Sequence, residues 1–307
     1  MLKKILQILF VLLLVVFSFY YTDKAIVLLE QKDPIMKQLK EIEPTYYEAA
    51  QDATINNQYI TPGYNGKKID LEKSFQKMKQ YGAYNDTLLV FEETKPTISI
   101  DEYYDHYISS GNGFIKNIAL VFKIKPQDDI TTIKNILDEN NVRGTFFIDG
   151  LFLDEHTQQV IDLVKDFHEV ELLSYDNTYN EQLFTASLSK LQTLTNTKPN
   201  YCYAEYDQKE ILELCQKNNL HTIIPTAIIT ANPYKNVKQN LKGGKIISLT
   251  PTTATIKELQ VVIHYIKQKG YTLDTIPPFS IKLASIFTSP ISLTITATFL
   301  LSLLVKI

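Results

Sequence analysis

The pattern of apolar and polar positions divides the chain into stretches with different rhythms. From Ile5 to Tyr21 every residue except Gln7 and Ser18 is apolar or aromatic. At about 1.5 Å of rise per helical residue, that run comes close to crossing a hydrocarbon core of about 30 Å. Lys3 and Lys4 precede it, and Tyr20 and Tyr21 stand where an interfacial aromatic belt belongs. No small-x-small cleavage site follows, so residues 1–22 read as an uncleaved transmembrane signal anchor with the bulk of the chain outside. Residues 23 to about 52 continue as a polar helix with Leu28, Leu29, Ile35, Met36, Leu39 and Ile42 at helical spacing. Ile69–Met78 predicts a second amphipathic helix, and Leu88–Phe91 a short strand closed by Pro96. Residues 23–115 are expected to form a stalk and accessory region.

From residue 116 strands and helices alternate. Strands are predicted at 118–124, 144–148, 170–175, 201–206, 222–229 and 245–249. Helices are predicted at 131–141, 157–167, 183–194, 209–219 and 255–269. Each helix is long enough for a parallel crossover. Near-continuous apolar strands such as Ile118-Ala-Leu-Val-Phe122 belong to a sheet covered on both faces. Repeated βα units of this kind form either a parallel barrel or a doubly wound sheet. Past them, residues 283–305 carry no charge before Lys306, although Pro290 and eight Ser or Thr interrupt the run. They are expected to form a second transmembrane helix, with an apolar tail lying on the domain or the membrane as the alternative.

Composition narrows the function classes. The chain has 307 residues, 31 basic against 34 acidic, and a net charge of −3. That balance leaves no electrostatic footprint for nucleic acid. Arg143 is the only arginine, so recognition by clusters of bidentate guanidinium forks is excluded. Cys202 and Cys215 have no metal-finger spacing and are expected to be two inert free thiols; pairing is the alternative for an exported chain. His106, His156, His168, His221 and His264 never recur at the spacing of metal ligands. His168 is expected to organise the turn before its strand, and Asp128 and Asp129 to cap the helix that begins near Thr131.

Several segments resemble the polysaccharide deacetylase (NodB-homology) family. Gly144-Thr-Phe-Phe-Ile-Asp-Gly150 is similar to its A-T-F-F-V-x-G strand, and His168-Glu-Val170 to its H-E-I. Lys198-Pro-Asn-Tyr201 resembles the approach to its R-P-P-Y-G turn, and Lys267-Gln-Lys-Gly-Tyr-Thr-Leu273 its closing K-x-x-G-Y-x-F. The resemblance covers residues 116–277. It implies an α/β fold, a distorted (β/α) barrel, and the removal of N-acetyl groups from chitin-like or peptidoglycan sugars with a bound divalent metal.

The positions that carry this chemistry in the family hold other residues here. The T-F-D-D-G-P motif falls on Val121-Phe-Lys-Ile-Lys-Pro126, which puts Lys123 at the general base and Ile124 at a metal ligand. The two metal-binding histidines fall on Leu173 and Asn177, the arginine on Tyr203, and the late catalytic histidine on Thr250. A divalent cation needs three or more N or O ligands from the protein, and an ammonium at its seat repels it. No metal, no cofactor and no deacetylase acid–base pair are therefore expected. Tyr175, Asp176, Tyr201, Tyr203, Glu205 and Tyr206 (with Tyr179) are expected to line a groove for a sugar or a protein, or to close it. A lysine at 123 is expected to pair with a neighbouring carboxylate.

The sequence thus reads as a membrane-anchored, extracytoplasmic deacetylase-like pseudoenzyme that binds an envelope glycan or an envelope protein. One alternative is a de-N-acetylase or related hydrolase working through a relocated site at Asp176, Glu205 and Asp207. The other is a structural module of the envelope.

Overall fold

The computed structural model describes residues 2–276. In chain order the helices and strands are α1 (Leu2–Lys32), α2 (Pro34–Tyr46), β1 (Thr54–Asn56), β2 (Tyr59–Thr61), β3 (Gly66–Ile69), α3 (Leu71–Tyr81), β4 (Phe91–Thr94) and β5 (Tyr107–Ile108). They continue with β6 (Asn117–Ile124), α4 (Thr131–Glu139), β7 (Thr145–Ile148), α5 (Gly150–Glu155), α6 (Thr157–Lys165), β8 (Glu169–Leu172) and α7 (Glu181–Thr195). The last are β9 (Tyr201–Tyr203), α8 (Lys209–Lys217), β10 (His221–Ile223), β11 (Ala227–Ile229), α9 (Pro233–Asn240), β12 (Ile246–Leu249), α10 (Thr253–Gln268) and β13 (Thr272–Asp274).

The chain divides into two units, one of Met1–Ala50 with Asn65–Lys95 and one of Gln51–Tyr64 with the chain from Pro96 on. In the first, α2 and α3 bury Met36, Leu39, Phe75 and Met78 against Ile69 of β3, which pairs with β4. Asp33 caps α2 by accepting from the Ile35 N–H, with Pro34 at the first helical position. Along α1 the apolar side chains from Leu9 to Phe17 are exposed, each between 47 and 63%. Among the residues described with their side chains, no helix is long and apolar enough to cross a membrane. The expected second span, 283–305, lies outside the described residues.

The second unit holds the βα repeats. One sheet runs β11-β12-β6-β7-β8 with β13 also on β6, and its ladders are parallel. The other runs β1-β2-β5-β10-β9, parallel except for β1 against β2. Alternation along each strand sorts the side chains into two layers. Ala119, Val121, Phe147, Leu173, Tyr201, Tyr203, Ile223 and Ile246 share one interior that both sheets face. Ile118, Leu120, Phe122, Ile124, Phe146, Ile148, Cys202 and Ile247 join the helices in the outer layer. This is a parallel α/β arrangement, as the repeats predict, and the shared interior between two sheets is in line with the distorted barrel that the resemblance implies.

The predicted strand 222–229 is two strands. Pro225 has no N–H for a ladder, and the chain changes sheets there, from β10 to β11. The sequence boundary at 115/116 also shifts, because β1, β2 and β5 add to the sheet of β9 and β10 and so place 51–64 and 96–115 in the larger unit.

The two sheets do not share a ladder between β8 and β9. Glu171, on β8 and 1% exposed, bridges the gap by accepting from the Asn200 and Tyr201 N–H groups at 2.8 and 2.9 Å. Two residues earlier on the same face, Glu169 accepts from the Thr145 hydroxyl and the Ile276 N–H. Burial raises the Glu169 carboxyl from 4.5 to about 8, and burial together with Glu169 holds Glu171 well above its ordinary value. Between those values the folded chain keeps protons that the unfolded chain releases, so stability falls as pH rises. Burial lowers His221 from 6.5 to about 4, so its contribution is lost only below pH 6.5. From pH 6.5 to 8 the glutamates act alone, and Tm should drop by about 5 °C. Thermal unfolding followed by circular dichroism checks this, and Glu169→Gln should flatten the slope.

Candidate functional site

Family resemblance puts the site at the C-terminal ends of the barrel strands, and β6, β9 and β12 do meet there. Lys123 is the third inward residue of β6 after Ala119 and Val121, which carries it to the mouth. Its Nζ donates to Glu205 Oε1 at 2.7 Å, with the two side chains 25% and 45% exposed. The ammonium also lies 5.8 Å from the centre of the Tyr203 ring. Tyr203 is buried and its hydroxyl is hydrogen-bonded to Ser248 Oγ of β12 at 3.0 Å. Phe147 packs on it edge-to-face at 5.2 Å. Burial pushes the Tyr203 hydroxyl up to about 12, so it stays protonated. The floor of the mouth is therefore aromatic and aliphatic, with Leu173 2% exposed in the same interior, and its rim is an ion pair.

The expected metal positions do not converge. Ile124 follows Lys123 by one residue and so points the other way, fully buried in the strand–helix layer. Leu173 lies in the interior, and Asn177 stands on an exposed turn with φ of 57°. None supplies a donor that a divalent cation would select except the Asn177 amide. Among the described residues, no group of three or more His, Cys, Asp or Glu is placed to hold a metal ion. The donor set does not fit a divalent cation. Thr250 has its backbone tied at both ends, its N–H donating to Ile229 O and its carbonyl accepting from the Thr255 hydroxyl.

The expected groove is only partly assembled. Lys123, Tyr203 and Glu205 come together, with Phe147 and Ser248, which the sequence reading did not single out. Tyr201 is on the same face of β9 as Tyr203 but one pleat lower, buried at the opposite end beside Glu171. Tyr175 turns to α5, its hydroxyl donating to Asp154 at 3.1 Å, and its ring is among the atoms a Cβ on Gly150 would strike. Tyr179 donates to Tyr203 O at 2.7 Å. Tyr206 alone of these rings is largely exposed, at 63%. The carboxylates of the relocated site are separated by their partners: Glu205 with Lys123, Asp207 with the Tyr59 hydroxyl, and Asp176 on an exposed turn.

Asp149 was not anticipated and organises one wall. It ends β7, is fully buried, and accepts from four donors: the N–H groups of Leu151, Asp176 and Asn177 and the Ser174 hydroxyl. An Asp between an apolar strand and a glycine is an N-cap signal, here extended to a neighbouring turn. His168 fills its expected structural role. Its Nδ1 accepts from the Gly144 N–H and its Nε2 faces Asp138, while burial lowers its basicity. Asp129 accepts from the Thr131 N–H as expected, whereas Asp128 closes the preceding turn by accepting from the Lys125 N–H.

The cysteines are joined. Cys202 and Cys215 form a disulfide between the outer face of β9 and α8, which corrects the expectation of free thiols. Alternation turns Cys202 away from the interior that Tyr201 and Tyr203 face, toward the helix that follows. With a sequence separation of 13, the cross-link is worth about 3 kcal/mol by loop-closure entropy. Replacing both cysteines by alanine should lower the unfolding free energy by about that amount, measured by urea titration.

Residues 111–239 match the family model for polysaccharide deacetylase. An uncharacterised Bacillus subtilis (strain 168) protein, YlxY, is 27% identical over 264 residues, covering 80% of this chain and 83% of that one. Among solved structures, wild-type BA3943 of Bacillus anthracis, described as a CE4 family pseudoenzyme, superposes with a TM-score of 0.60. It is 22% identical, and the match covers 80% of this chain and 94% of that one. A BA3943 mutant, described as having restored enzymatic activity, superposes with the same score over 97% of its length. The chain thus matches the polysaccharide deacetylase family model over residues 111–239 and shares the fold of these structures, and the resemblance read from its sequence puts Lys123, Ile124, Leu173, Asn177, Tyr203 and Thr250 at that family's metal and acid–base positions.

Proposed function

We propose that the protein is a membrane-anchored, extracytoplasmic pseudoenzyme of this family that binds an envelope glycan and does not deacetylate it. The observation that carries the reading is the Lys123–Glu205 ion pair over the Tyr203–Ser248 pair, in the mouth where the family holds a metal. A lysine ammonium at that point repels a cation, and a tyrosine held neutral supplies no base. What remains suits recognition: the exposed Tyr206 ring for an apolar sugar face, with the Lys123–Glu205 pair at the mouth as hydrogen-bonding groups. The disulfide favours an oxidising compartment, in line with a domain outside the cytoplasm. Anchoring rests on the apolar run Ile5–Tyr21, whose side chains from Leu9 to Phe17 are not covered by protein.

The test uses full-length protein in detergent with N-acetylglucosamine oligomers and added zinc. Saturable binding without acetate release is expected, and Tyr206→Ala should weaken it about tenfold. Acetate release with turnover would overturn the reading.

A further inference from the structure

The end of the barrel opposite the site carries a surface that the proposed function does not use. Two loops are clamped there backbone to backbone. The Gly111 N–H donates to Gly244 O at 2.7 Å, and the Gly244 N–H to Asn117 O at 2.8 Å. A Cβ on Gly243 would come within 2.6 Å of Ile115 O, and Gly244 has a φ of +75°, so glycine is required at this crossing. The clamp holds Phe114 outward at 86% exposure, the most exposed of the large apolar side chains in the described chain. Lys116 follows it in the same loop, and Lys242 and Lys245 flank the two glycines. Burial and the neighbouring Lys242 ammonium both lower Lys245, as expected where like charges are held together.

The next barrel loops extend the same chemistry. Arg143 precedes β7, and its guanidinium lies 5.4 Å from the centre of the Phe167 ring, which precedes β8 and is 71% exposed. Acidic side chains also stand at this end: Asp138 faces His168 and pairs with Lys134, and Asp166, next to Phe167, pairs with the same lysine, while Asp101, Glu102 and Asp105 precede β5 in the other sheet and Asp274 ends β13.

The last described residues also start from this end. β13 starts beside Lys116, with the Thr272 N–H donating to Lys116 O at 2.8 Å. The Ile276 N–H donates to the hydroxyl of Thr145, the first residue of β7. The uncharged residues 283–305 follow within a few positions. An exposed aromatic ring beside several cations, in a chain whose sequence continues into a long uncharged run, has the chemistry of an interfacial membrane contact.

We infer that Phe114, Phe167, Lys116, Arg143, Lys242 and Lys245 form a face that docks the barrel on an anionic phospholipid surface, so that the Lys123–Glu205 mouth points away from the membrane. This rests on the membrane-anchored reading, and it adds an orientation.

The chain has no tryptophan, so Phe114→Trp creates a single reporter. Full-length Phe114→Trp protein is reconstituted in phosphatidylcholine–phosphatidylglycerol vesicles, with Tyr206→Trp as the reporter at the opposite end. Flotation with the vesicles reports anchoring separately. The inference predicts a blue-shifted Phe114→Trp emission quenched by brominated-chain lipid, and an unquenched Tyr206→Trp emission. Adding Lys116→Glu, Lys242→Glu and Lys245→Glu should reduce the quenching about twofold or more. A protein that floats but shows no quenching at 114 overturns the docking face and leaves the anchor standing. Failure to float removes both. Quenching indifferent to phosphatidylglycerol and to charge reversal overturns the electrostatic contact. A blue shift that grows with protein density without quenching assigns the face to a second copy and overturns the inference as well.

Discussion

Ile124→Asp, which restores the residue type that the family carries at that position, should destabilise the domain by about 4 kcal/mol or more and create no metal site. The strand pleat sets this outcome. Lys123 reaches the mouth, so its neighbour enters the apolar layer between β6 and the helices, where Ile124 is buried in the same cluster as Phe122, Ile130 and Phe152 and stands beside Ile148 in the ladder. A carboxylate there loses its hydration and finds no cation, and the carboxyl gains a proton before it gains a ligand. Denaturant unfolding measures the loss, and zinc titration of whatever remains folded should show no tight site. A stable Ile124→Asp protein that binds zinc would mean that β6 can shift register by one residue.

Asp149→Ala should cost about 3–5 kcal/mol. Four donors converge on this carboxylate inside the protein, and three of them are backbone N–H groups. Two belong to Asp176 and Asn177, consecutive residues with φ of 45° and 57°. That left-handed pair costs about 1 kcal/mol or more per residue for side chains other than glycine, and the carboxylate holds it in place. Asp149→Asn removes no volume but turns an amide NH2 toward N–H donors, so it should recover less than half of the loss. Unfolding midpoints of both variants test the ranking. An unchanged midpoint for Asp149→Ala would show that the 174–177 turn holds itself.

Much of the larger unit was legible because its signals are local. Runs such as Ile118–Phe122 and the periodic helices around Lys209–Lys217 and Thr253–Gln268 specify buried parallel strands and amphipathic crossovers from sequence alone. The pairing of Lys123 with a nearby carboxylate followed from the cost of leaving an ammonium near an apolar floor unpartnered. What escaped depends on direction and on long-range closure. Aligning Lys123 and Ile124 with two family carboxylates does not reveal that adjacent strand residues face opposite layers. Tyr201 and Tyr203 share a face, yet one pleat of separation sends them to opposite ends of the interior. Glu171 resembles an ordinary strand glutamate in sequence, and only the missing ladder between β8 and β9 makes it a bridge. The disulfide likewise depends on α8 packing behind β9, which no spacing rule for two cysteines encodes.

The central claim is that the family's cation seat has been replaced by an ion pair on an apolar floor. Its most direct test is the zinc content of the purified full-length protein after chelation and re-exposure to zinc, read by mass spectrometry of the metal. The expected result is no stoichiometric zinc, in the wild type and in Lys123→Ala alike, because removing the ammonium restores no donors. One tightly held zinc per chain in the wild type would contradict it.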